Sequence, residues 1–319
     1  RVSLLDAADR PEEALAALDD FEAEPTRLSE RLLVTRARLL ARTGEAEAAR
    51  ALLGADRGVQ ERSELVRRAA AALAEGGIPA ALVADPVAGV ADALFNLGEV
   101  LRAQGRSLNA IFYTRLGLHL VPDHAAGWLS LGRLLEVEDG PDAAIAAFAR
   151  VEAGSPWYRM ARMELAEAMA GRDEIDAAAA ILRELAAAAP EDARPLIALG
   201  DMLRRAERWQ AASEAYDAAL ARMPADAEDA GSWRLHYARG IAFERSGRWP
   251  PAERALERAL ELRPDQPFVL NYLGYSWVDQ GLNLVEAKAM LHEAVEMRPD
   301  DGFIVDSLGW AYYRLGDYE

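Results

Sequence analysis

The chain has 319 residues, a net charge of −17 and no cysteine. That charge argues against a nucleic-acid backbone or an anionic membrane as principal partner, since both call for positive charge. The missing cysteine removes disulfides, thiolate metal sites and a thiol nucleophile, and no uninterrupted apolar run approaches the ~20 residues that cross a bilayer.

In chain order, Pro11 to Phe21 reads as the second helix of a pair whose first half is mostly missing. Residues 30–57 read as a helix pair, with Leu33, Ala37, Leu40, Ala49 and Leu53 at helical spacing. Residues 62–90 form a degenerate unit. Leu65, Ala69 and Ala72 start its first helix, but Gly76, Gly77, Pro79 and Pro86 leave room only for a short second one. From residue 91 the pattern becomes regular. A small residue is followed twelve positions later by alanine, as Gly98/Ala110, Gly132/Ala144, Ala166/Ala178, Gly200/Ala212 and Gly240/Ala252, and the first four members are 34 residues apart.

A fixed period in this range marks stacked helix pairs, each burying its apolar face against its neighbours. Leu94, Leu97 and Leu101, then Trp128, Leu131 and Leu135, then Leu196, Leu199 and Leu203 form one stripe of successive first helices. Ala144, Phe148 and Val151, or Ala212, Tyr216 and Ala219, form the stripe of the second. The small residues let two backbones approach, and Pro122, Pro156, Pro190, Pro224 and Pro264 close each unit. Two irregularities stand out: six extra residues within 225–231 lengthen one junction, and the turn at 280–283 carries one more. The expected organisation is residues 1–90 as N-terminal repeats, one of them degenerate (62–90), and 91–319 as a regular array, in one continuous solenoid. The chain begins at Arg1 and stops at Glu319 where a second helix should start, so it is expected to be a fragment or a processed chain.

These residues resemble the tetratricopeptide repeat family. Residues 125–158 and 193–226 carry its large, small, aromatic and alanine positions in register, as do repeats starting at 91, 159, 233, 267 and 302. The resemblance implies an all-α, right-handed superhelical solenoid of antiparallel helix pairs. It also implies that positions 2, 5, 9, 12 and 13 of each first helix face a concave groove. Those positions include Asp92, Phe95, Arg204, Arg205, Tyr237, Phe268, Asn271, Tyr275, Phe303, Asp306, Trp310 and Tyr313. Aromatic anchors beside amide and carboxylate groups suit an extended peptide. The competing expectation for Tyr275, Trp310 and Tyr313 is packing against a following repeat. Trp209 and Trp249, before second helices, read as core. Residues 271–277 and 306–313 are similar to tetratricopeptide lipoproteins and secreted repeat proteins of Gram-negative bacteria, one class of which presents substrates to a carboxyl-terminal processing protease.

Catalysis finds no motif. His119, His124, His236 and His292 lack metal-ligand spacing, no serine stands in a nucleophile elbow, and every repeat glycine has a structural use. The sequence therefore predicts a non-enzymatic scaffold without cofactor or metal that binds a protein or peptide partner. Its expected location is the periplasm, with any lipid anchor lying upstream. The alternatives are a cytoplasmic assembly or cochaperone module and the recognition arm of a larger glycosyltransferase.

Overall fold

A computed structural model describes residues 2–21, 30–54, 63–82, 85–223 and 231–317. Pro224, Tyr318 and most of the long junction at 225–231 lie outside them. The described residues form α-helices joined by turns, with no strand among them, and they fall into two compact units, 1–173 and 174–319. The expected division at residue 90 falls inside the first.

Unit 1 holds α1 (Val2–Ala7), α2 (Pro11–Phe21), α3 (Glu30–Arg42), α4 (Ala46–Gly54) and α5 (Glu64–Ala74), followed by α6 (Pro86–Ala103), α7 (Ser107–Leu120), α8 (Ala125–Glu138), α9 (Pro141–Phe148) and α10 (Tyr158–Gly171). Consecutive helices pair as α1/α2, α3/α4, α6/α7 and α8/α9, and α8 and α10 also pack on the second helix before them, α7 and α9. The degenerate repeat departs from expectation. After α5 the chain turns at Glu75–Gly77, and residues 78–82 form no helix. The anticipated short second helix is absent among the described residues. Asp85 instead caps α6, accepting from the Ala88 amide at 2.9 Å, and Pro86 takes the first helical position, where its missing N–H costs nothing. The segment expected to end one repeat thus lengthens the first helix of the next.

Unit 2 holds α11 (Ile175–Ala188), α12 (Arg194–Arg205), α13 (Trp209–Leu220), α14 (Trp233–Arg245), α15 (Trp249–Leu262), α16 (Pro267–Gln280), α17 (Leu284–Met297) and α18 (Gly302–Leu315). Each first helix, α12, α14, α16 and α18, packs on the second helix of the preceding pair. The turns inside pairs share one device: a residue in the left-handed region, at Glu207, Gly247 and Gly281. The turn at 280–283 uses two, Gly281 and Asn283, which accommodates its extra residue. Arg222 reaches back to donate to the Ala186 and Ala189 carbonyls at 2.8 and 3.2 Å, satisfying acceptors left open at the end of α11.

The close approach implied by the small residues is present, and its occupant is specific. A Cβ added at Gly200 would meet the Tyr216 ring at 2.5 Å. Tyr216 is fully buried, and its hydroxyl donates to Asp201 Oδ1 at 2.7 Å, so the ring has no room to swing away. Gly132 accepts the Phe148 ring in the same manner.

Candidate functional site

Two faces of each first helix in unit 2 are committed to packing, one toward the preceding second helix and one toward its own partner. The remaining side carries positions 2, 5, 9, 12 and 13. On α16 this places Phe268, Asn271 and Tyr275 along one line; on α18 it places Phe303, Asp306, Trp310 and Tyr313 along the next. The two helices pack against each other. Phe268, Tyr275, Phe303 and Tyr313 are all exposed, Tyr275 by 43% and Phe303 by 88%. Neighbouring cations steady the rings. The Arg298 guanidinium lies 4.9 Å from the Phe268 centroid, and that of Arg314 lies 5.7 Å from Trp310. Arg314 also donates to the Asp279 carbonyl of α16 at 3.1 Å, tying the two helices together.

Trp310 belongs to both surface and core. It is half-buried, packs on the cluster around Leu273, Trp277 and Ala311, and stacks on Tyr313 at 5.4 Å. Its Nε1 is buried and has no partner among the described residues, and the same holds for Asn271 Oδ1. One is a donor and the other an acceptor. Each unmet buried group costs about 1–3 kcal/mol, so the pair calls for an explanation.

The remaining predicted residues stand apart from this shelf. Tyr237 on α14 is half-buried between Trp233, at 6.2 Å, and Tyr272, edge-on at 5.9 Å. Burial raises its hydroxyl pKa, and the charge of Arg204 acts in the opposite direction. Arg204 is half-buried on α12, while Arg205 beside it is exposed. Tyr272 was not singled out in the sequence, yet it joins α14 to α16: its hydroxyl donates to Glu244 Oε2 at 2.8 Å. Burial and the neighbouring carboxylate raise that hydroxyl well above the usual tyrosine range. The buried neighbour Trp277 also bonds across repeats, donating to Glu253 Oε1 at 2.6 Å. Trp209 and Trp249 are half-buried, and Trp249 packs on the same core cluster as Trp310.

In unit 1 two of the four groove residues expected on α6 turn inward, while Glu99 and Arg102 stay at the surface. Asp92 is buried and paired with Arg31, and Phe95 is buried against Gly117 and Gly127, stacked on His124 at 4.1 Å. Glycines at those two positions open a slot that the ring fills. His124 caps α8, its Nδ1 accepting from the Gly127 amide at 2.9 Å. Burial, then the Arg31 charge, pushes its imidazole down to about 4. A cavity of about 540 Å³ lies between α3, α5 and the start of α8, lined by Leu65, Arg68, Pro79 and Trp157 among others. Among the described residues no cluster of His, Asp or Glu is arranged to hold a metal, and no helix is long and apolar enough to cross a membrane.

Two family models, both described as tetratricopeptide repeat, match residues 191–265 and 237–301. Residues 191–301 are tetratricopeptide repeats. The tetratricopeptide architecture extends beyond them at the level of fold. A chain of the Cut9–Hcn1 hetero-tetramer of the APC/C is similar over 96% of this chain, with TM-score 0.52 and 17% identity. The match covers 54% of that chain, so this protein spans about half the length of its relative. MamA and a MamA fragment (41-end) from Desulfovibrio magneticus RS-1 are each similar over 55% of this chain at TM-score 0.46, with 23% and 20% identity, covering 93% and 96% of those chains. No curated protein matches the sequence.

Proposed function

We propose that this chain is a protein-interaction scaffold that holds an extended segment of a partner protein against the α16–α18 shelf. The observation that carries this reading is the run of exposed aromatics on two packed first helices, Phe268 and Tyr275 followed by Phe303 and Tyr313. Large aromatic surface left in water is costly unless a partner covers it. In its finer form the reading places the scaffold in the periplasm, delivering bound segments to a carboxyl-terminal processing protease. What supports that form is the wording of residues 271–277 and 306–313.

The test is binding of an array of unstructured peptides to the chain and to a Tyr275→Ala, Phe303→Ala double variant. Both side chains are exposed, so the variant keeps its helicity, whereas removing Trp310 would open the core. Loss of about tenfold or more in affinity for the best peptides is expected. Undiminished binding by the double variant would refute the site.

A further inference from the structure

The second helices α7 and α9 both pack on α8 and hardly touch each other. Between them lies a cavity of about 640 Å³, within the range of small-molecule sites. Its floor is apolar, made by the buried Leu118, Leu131 and Leu135. One wall is α9, which presents Ala143, Ala146 and Ala147 at the three-and-four spacing of a single helix face. The corresponding places hold Asn109, Phe112 and Tyr113 on α7, and Pro251, Arg254 and Ala255 on α15. The space therefore follows from three small side chains that this repeat alone of the three places together.

The rim of this cavity is basic. Arg115, His119 and Arg150 border it, all three exposed, and no carboxylate lines it. Neither arginine has an ion-pair partner among the described residues. Counted from the repeat starts, and allowing for the extra residue of the 280–283 turn, the same three places on α15 and α17 hold Glu257, Glu261 and Glu293. The rim is thus basic where its counterpart is acidic, in a chain of net charge −17. One of the cations is also held in place. Trp128 Nε1 donates to the Pro122 carbonyl at 2.7 Å, and the Arg150 guanidinium lies over the indole at 4.9 Å from its centroid. A guanidinium on a ring face still presents its N–H edge to an anion. The cavity between α3, α5 and α8 differs in this respect, because its Arg31 and Arg68 are already paired with Asp92 and Glu64.

We propose that the α7–α9 cavity binds a small amphiphilic anion, an apolar chain or ring that carries one carboxylate or phosphate. The apolar body lies on Leu118, Leu131 and Leu135 beside the alanines of α9, and the head group sits among Arg115, His119 and Arg150. Removal of apolar surface from water supplies affinity, and charge-assisted hydrogen bonds from the arginines select for a negative head. A bare anion lacks the first contribution, and a cationic amphiphile lacks the second. The site lies in unit 1 and shares no residue with the α16–α18 shelf, so it gives the scaffold a small-molecule ligand besides its protein partner.

The probe is laurate, with dodecyltrimethylammonium as its cationic twin, each titrated below its micelle concentration into the 319-residue chain and followed by calorimetry. Circular dichroism confirms that each variant folds. Laurate is expected to bind saturably at one site per chain and about tenfold or more tighter than the twin. Arg115→Glu with Arg150→Glu should weaken laurate about tenfold or more and strengthen the twin, a reversal that altered folding would not produce. Ala146→Phe, at an exposed place on α9, should fill the cavity and weaken laurate without changing the charge. Tyr275→Ala with Phe303→Ala should leave laurate binding unaffected, so this site and the shelf stand or fall separately. No saturable binding of laurate, equal binding of the twin, saturable binding of inorganic phosphate alone, or indifference to the Arg115 and Arg150 changes would each overturn the proposal. Sedimentation of the chain with phosphatidylglycerol vesicles, lost in the double arginine variant, would do so as well, by assigning the cations to a membrane surface.

Discussion

Glycine at position 8 of two repeats allows one substitution to be tried in opposite environments. Gly200 and Gly309 occupy that position on α12 and α18. At Gly200 a new Cβ would stand 2.5, 2.6 and 2.9 Å from three atoms of the Tyr216 ring, well inside contact distance. The ring is buried and its hydroxyl is held by Asp201, so relief requires either a backbone shift or loss of that bond. Overpacking of this kind costs roughly 1–3 kcal/mol. The helix-propensity gain from glycine to alanine returns up to about 1 kcal/mol. Gly200→Ala is therefore expected to destabilise unit 2 by up to about 2 kcal/mol. At Gly309 nothing lies within 4 Å of the added carbon, so only the propensity term remains and Gly309→Ala should stabilise α18 by about 0.5–1 kcal/mol. Repeat arrays need not unfold in one step. The assay is accordingly native-state hydrogen exchange, read separately on the amides of α12–α13 and of α18. Faster exchange in the first and slower in the second is the expected result. If both substitutions slow exchange alike, the close approach of Tyr216 to α12 is not what fixes glycine at that position.

His124 makes unit 1 sensitive to acid. Its folded-state pKa lies below the unfolded value of about 6.5, so the unfolded chain binds the extra proton first as pH falls. The stabilisation is complete above about pH 6.5 and is lost on acidification toward pH 4, by roughly 3 kcal/mol at most. A His124→Asn variant keeps a capping acceptor. It should lose less stability over that window in urea titrations, and a decline as steep as the parent's would rule His124 out as the cause. Glu207 sits in the left-handed region at φ 55° in the α12–α13 turn. Glu207→Gly should raise the urea midpoint by the equivalent of about 1 kcal/mol, and a lower midpoint would mean that its side chain contributes more than its backbone strain costs.

Much of the architecture could be read from the chain because its determinants are local and repeated. The 34-residue period, the glycine–alanine spacing and the closing prolines each report a contact within a pair or with the next one, and the helices of α6–α9 and α12–α18 follow them closely. The surface positions were legible for the same reason: Phe268, Tyr275, Phe303 and Tyr313 occupy places that neither packing stripe uses, and they are exposed. Three features were not legible, and each depends on what a residue meets from elsewhere. Phe95 sits at a groove position by its spacing, yet Gly117 and Gly127 from two other elements open the slot that draws it inward. Trp310 is half core because α16 lies beneath it. Leu97 and Val100 carry a core pattern and remain in water, because burial also requires an opposing helix and residues 75–82 do not form one. The sequence by itself determined which residues can form helices and which sides of those helices are apolar, since both are matters of spacing. Only the tertiary structure decided which apolar side is covered, because that depends on whether another element lies opposite it.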